Sequence, residues 1–173
     1  MDRINFARRL AAGGIVVATL GLGSPALAQS TASSNLSVTA TVTANCTVTT
    51  SPVAFGNVNT LSATAVDATG GVTVTCTSGT GWTASANAGS GSGASLLTRR
   101  MTLGTGTSTL NYSLYTNSTR TTVWGDGTGS TGTIIGSGTG AGQPVTIYGR
   151  VPAGQGTVPA GSYGDTVAVT VTY

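Results

Sequence analysis

Between Asn35 and Asn45 the chain alternates without a break. Leu36, Val38, Ala40, Val42 and Ala44 fall on one side of an extended strand, and Ser37, Thr39, Thr41 and Thr43 on the other. A period of two is the mark of a half-buried β-strand, and no Gly or Pro between Pro25 and Pro52 turns the chain there. Past Cys46 the same period returns in shorter pieces separated by turn-forming spacers. Residues 46–49, 53–55, 71–77, 82–86, 100–103, 110–115 and 122–124 read as short strands. Residues 125–142 form a long Gly/Ser/Thr connector interrupted by Ile134 and Ile135, which could hold a short strand or a crossing between sheets. Val145, Ile147, Gly149 and Val151 alternate in a further strand, and Tyr163, Asp165, Val167, Val169, Val171 and Tyr173 share one parity in a last strand running to residue 173. Roughly seven short strands at this spacing, with no helical period, predict an all-β sandwich.

The first 28 residues do not belong to that pattern. Arg3, Arg8 and Arg9 precede an apolar run from Leu10 to Leu22, and Ala26-Leu27-Ala28 supplies the small-x-small site of a signal peptide cleaved before Gln29. The run is thirteen residues long, short of the roughly 18–20 that a bilayer requires. The predicted organisation is therefore a signal peptide over residues 1–28, a leader over 29–44 and one β domain over 45–173.

Export changes the reading of the cysteines. Cys46 and Cys76 lie thirty positions apart, and an oxidising compartment predicts a disulfide between them. Closing a loop of that length stabilises a fold by about 3–4 kcal/mol, mainly through the unfolded chain. A metal site is excluded by the lack of a CxxC spacing and of any histidine.

Charge and chemistry subtract possibilities. Beyond residue 28 there is no His, Lys or Glu, and Arg99, Arg100, Arg120 and Arg150 stand against Asp67, Asp126 and Asp165. Four scattered arginines make no stripe for nucleic acid. Hydroxyl nucleophiles abound, but no His, Lys or Glu is present to activate one. Each aspartate sits in a turn-like or strand-end context, where capping its own backbone accounts for it. The glycine-rich run at residues 125–129 lacks the lysine of a P-loop. An enzyme is not expected, nor any cofactor. Trp82, Trp124 and the tyrosines could form a sugar-binding platform, but in a small sandwich core anchoring is the simpler role.

The leader strand remains. It lies outside the segment closed by the cysteines, and one apolar face left unpaired is an aggregation hazard. Either it pairs within its own domain or it adds to the sheet of a neighbour. At this point the sequence resembles the spore coat protein U domain family, the pilin type of archaic (Csu-type) chaperone–usher pili. The resemblance is carried by residues 38–42 running into Asn45-Cys46, by Phe55-Gly56, Val74-Thr75-Cys76 and residues 111–115. Residues 148–155 and the ending from Ala160 to Tyr173 are its most specific part.

The resemblance implies an immunoglobulin-like sandwich lacking its last strand. A periplasmic chaperone would lend that strand, and an outer-membrane usher would exchange it for the leader of the next subunit. Carried onto this chain, the donor face is Leu36, Val38, Ala40 and Val42. The acceptor groove would be edged by residues 47–49 and by Val167, Val169 and Val171. With room for one domain after its leader, the chain is expected to be a shaft or minor pilin rather than a tip adhesin. A surface coat protein that forms no pilus is the alternative, and a sugar-binding module the third reading.

Overall fold

The structure is a computed structural model that describes residues 28–173. The signal-peptide segment lies almost wholly outside the described residues. Contacts divide the chain into Met1–Thr39 and Ala40–Tyr173. In the first unit the described residues 28–39 form no helix or strand and are exposed throughout. The alternating leader is therefore not a paired strand, and the described part of the chain first enters a ladder at Cys46.

Nine strands and no helix follow among the described residues. β1 (Cys46–Ser51), β2 (Val66–Cys76), β7 (Gln143–Val151), β5 (Thr109–Tyr115), β4 (Arg99–Leu103) and β8 (Tyr163–Gly164) lie side by side in that order in a six-stranded sheet. β6 (Ile134–Ser137), β3 (Gly81–Ala86) and β9 (Val169–Thr172) make a three-stranded sheet. Every strand pair is antiparallel. Two antiparallel sheets enclosing one core make this an immunoglobulin-like β-sandwich.

The alternations place the core. Val72, Val74, Leu110, Tyr112, Leu114, Ile147 and Val151 point in from the larger sheet, and Trp82, Ala84 and Ala86 from the smaller one. Trp124, only 2% exposed, fills the space between them from the connector after β5, and its indole N–H donates to the Ala84 carbonyl at 3.1 Å. Both tryptophans are core residues. The disulfide joins Cys46, the first residue of β1, to its register partner Cys76, the last of β2.

Three sequence expectations are corrected. Residues 53–55 and 122–124 form no strand, the second holding only isolated bridges at Val123 and Trp124. The last strand is not continuous. Tyr163 and Gly164 pair with β4 in the large sheet, whereas Val169 to Thr172 pair with β3 in the small one. The intervening residues 165–168 belong to no ladder. In that break Asp165 is bonded to Tyr112 of β5 and to Ser90 of the β3–β4 connector, and Ala168 is bonded to Asn87. Nor is every aspartate a turn former. Asp126 is one, accepting from the Thr128 N–H and hydroxyl. Asp67 stands at the strand end expected of it, second in β2, but instead of capping it faces Arg150 and takes a bidentate ion pair from it at 2.7 and 2.8 Å, with Arg120 Nε at 3.2 Å. A cross-strand pair of opposite charges stabilises the ladder where a turn residue would weaken it.

One buried group carried no signal in the pattern. Arg99 is fully buried, and its guanidinium donates to the carbonyls of Asn87 (2.9 Å), Leu96 (3.1 Å) and Trp124 (2.7 Å). Burial lowers its pKa from the ordinary arginine value, and the nearby Tyr112 and Asp165 oppose that shift. The side chain ties two places in the β3–β4 connector to the segment after β5. Arg99→Met should therefore strand the buried Trp124 carbonyl and loosen the part-buried carbonyls of Asn87 and Leu96, destabilising the fold by about 1–3 kcal/mol. The urea midpoint would fall with the m-value unchanged. A loss below about 1 kcal/mol would mean that the carbonyls find other partners.

Candidate functional site: an open cleft between two edge strands

β1 ends the order of the larger sheet and β9 ends that of the smaller. The two edges approach each other without pairing, so the sandwich is open along this side. β1 stops at Ser51 because Pro52, lacking an N–H, cannot continue the ladder. The chain then folds inward over the large sheet. Gly70 and Gly149 make room for it: an added Cβ would stand 2.6 Å from a Val53 methyl at either position, and at Gly149 also 2.8 Å from the Phe55 ring. Phe55 thereby reaches Tyr112, edge to face, at 6.1 Å between ring centroids.

The result is a cleft of about 370 Å³. One wall is Thr50, Ser51, Pro52, Val53 and Phe55. The other is the segment from Tyr163 through Asp165 and Val167 to Val169. Core residues Val72, Tyr112, Leu114, Trp124 and Ile147 form the floor. A second hollow of about 660 Å³ continues past Tyr163, between residues 53–61 and 158–163.

The structure brings some of the sequence-selected residues together here. Val167 and Val169 line the cleft, while Val171, half-buried on the same face, lies outside its lining. The opposite wall is built by residues 50–55 rather than 47–49. Leu36, Val38 and Val42 are 88%, 84% and 83% exposed, and Ala40 is exposed as well. Cys46 and Cys76 close the root of the leader.

Sequence reasoning missed the polar knot in this apolar cleft. Asp165 Oδ2 accepts the Tyr112 hydroxyl at 2.6 Å. Its Oδ1 accepts the Ser90 N–H and hydroxyl, both at 2.7 Å, and the Thr166 N–H at 2.8 Å. Tyr112 belongs to β5 in the large sheet, whereas Ser90 lies in the connector between β3 and β4, so the carboxylate ties the last segment to a strand and to a loop. Gly89, with φ of +84°, permits the close approach, since an added Cβ would collide with the carboxylate. The only hint in the sequence was a charged residue on an otherwise apolar parity.

The site thus defines a class: an immunoglobulin-like sandwich whose core lies open between two unpaired edge strands. The chain belongs to the Spore Coat Protein U domain family, whose model matches residues 32–170. It is 43% identical over 75 residues to Protein U of Myxococcus xanthus, covering 43% of this chain and 40% of that protein. Among solved structures it is similar to the CsuC–CsuE chaperone–tip adhesion subunit pre-assembly complex from the archaic chaperone–usher Csu pili of Acinetobacter baumannii. That likeness has a TM-score of 0.54 and 25% identity, over 77% of this chain and 40% of the other. The chain therefore spans about two fifths of the length of each relative. Membership places it among structural proteins, not enzymes.

Burial raises the pKa of Tyr112 above the ordinary phenol value, and the bond to Asp165 adds to the shift. As pH climbs past about 10, the unfolded chain releases this proton while the folded chain retains it. Stability is full below that pH and falls above it. Urea midpoints at pH 8 and pH 11 should differ in the wild type, and Tyr112→Phe should reduce the difference. An identical difference in the variant would clear Tyr112 of the effect.

Proposed function

We propose that the chain is a structural subunit of an archaic chaperone–usher pilus, polymerising by donor-strand exchange into surface fibres that serve adhesion and biofilm formation. The observation that carries this reading is the pairing of an open cleft with an exposed leader. The cleft has a free strand edge, apolar walls and a core floor. The leader has one apolar face at strand period, which suits addition to such an edge. The likeness to a chaperone–subunit complex supports the same reading.

On this reading the chain is exported to the periplasm, where a chaperone fills the cleft with a strand of its own. An outer-membrane usher then replaces that strand with the leader of the next subunit at the cell surface. Leu36, Val38, Ala40 and Val42 are the donor residues, and Val167 and Val169 belong to the acceptor wall, with Val171 extending it. Burying four such side chains contributes about 4–8 kcal/mol before ordering costs. Donor and acceptor are different surfaces, so the contact is heterologous and builds an open filament. No platform of exposed tryptophans favours a sugar-binding module, since Trp82 and Trp124 are buried.

Deleting residues 29–44 should abolish SDS-resistant oligomers and surface fibres while the truncated chain still binds its chaperone. Val38→Asp together with Val42→Asp should have the same effect. Fibres that persist without the leader would defeat the donor-strand reading and leave a coat protein that forms no pilus.

A further inference from the structure

The cleft wall and the leader share a spacing. Tyr163, Asp165, Val167 and Val169 alternate along the wall, every second residue half-buried toward the core. Leu36, Val38, Ala40 and Val42 alternate in the leader. Each set of four has one exception. In the wall it is Asp165, polar and immobilised by Tyr112, Ser90 and Thr166. In the leader it is Ala40, the single small side chain.

All pairs of strands among the described residues are antiparallel. A leader laid antiparallel along the wall, four residues against four, sets Leu36 beside Val169, Val38 beside Val167, Ala40 beside Asp165 and Val42 beside Tyr163. A slip of one residue turns every apolar side chain outward. A slip of two places Val38 or Val42 beside Asp165. A branched side chain there would crowd a carboxylate held in place by four hydrogen bonds from Tyr112, Ser90 and Thr166, and overpacking of this kind is destabilising.

We infer that Asp165, held by Tyr112 and Ser90, determines the register of the incoming strand by admitting Ala40 of the neighbouring copy beside it. The inference rests on the donor-strand reading and adds a specificity element to it. Tyr112 and Ser90 are positioning residues that keep the carboxylate in place.

Cysteine pairs in assembled fibres test the register directly. After mild oxidation and boiling in SDS, Val38→Cys with Val167→Cys should give a covalent ladder between copies. Val38→Cys with Val169→Cys, and Leu36→Cys with Val167→Cys, report slips of two residues in either direction. A ladder from one of these slipped pairs in place of the first would overturn the register while leaving strand donation intact. Donation itself stands or falls with the leader deletion. In a second arm, Ala40→Val should lower polymer yield about tenfold, an overpacking cost of the usual size, and Asp165→Ala should recover it. Wild-type polymerisation by Ala40→Val would also overturn the inference.

Discussion

Between Gly164 and Val169 the last segment of the chain leaves one sheet and joins the other, and the hydrogen bonds of Asp165 hold it at that crossing. A continuous strand would have belonged to a single layer. Because the segment is shared, one end lies beside β4 and the other beside β3, with the stretch between them standing as a wall. The cleft, its apolar floor and the free edge of β9 all follow from this division. The carboxylate is satisfied by neutral donors from β5, from the β3–β4 connector and from Thr166, so it anchors the crossing without a counter-ion among its bonded partners.

The same economy recurs around Arg99. A chain so rich in Thr, Ser, Gly and Ala has few large side chains with which to anchor its connectors. A guanidinium offers five N–H donors in a rigid fork, and three carbonyls from two connectors converge on it. Trp124 joins the two devices: its carbonyl binds Arg99, its indole binds β3, and its ring forms part of the cleft floor. The apolar core and the polar fastenings are thus one construction.

Most of the strands were legible, because period-two alternation survives even where the residues are small. Val72, Val74 and Cys76, or Trp82, Ala84 and Ala86, need only parity to be placed inward, and they are buried. The disulfide followed from export and from there being two cysteines. What parity could not convey was the third dimension of polar groups. Asp165 and Asp67 each sit on a strand parity like any other residue. Their partners lie 53 and 83 positions away in sequence, beyond the reach of local pattern. The wall formed by residues 52–55 was hidden for a related reason: it rests on Gly70 and Gly149, whose missing side chains matter only once the two strands are neighbours.

The disulfide has a mechanical consequence that its contribution to stability does not describe. A pull applied to the leader reaches the β domain at Cys46, the first residue of an edge strand held by a single ladder. Without a covalent link, β1 could peel away one hydrogen bond at a time from that end. The bond from Cys46 to Cys76 passes the force to the end of β2, an interior strand flanked by β1 and β7. Two ladders then resist together, and the point where the domain is tugged is also the point where it cannot fray.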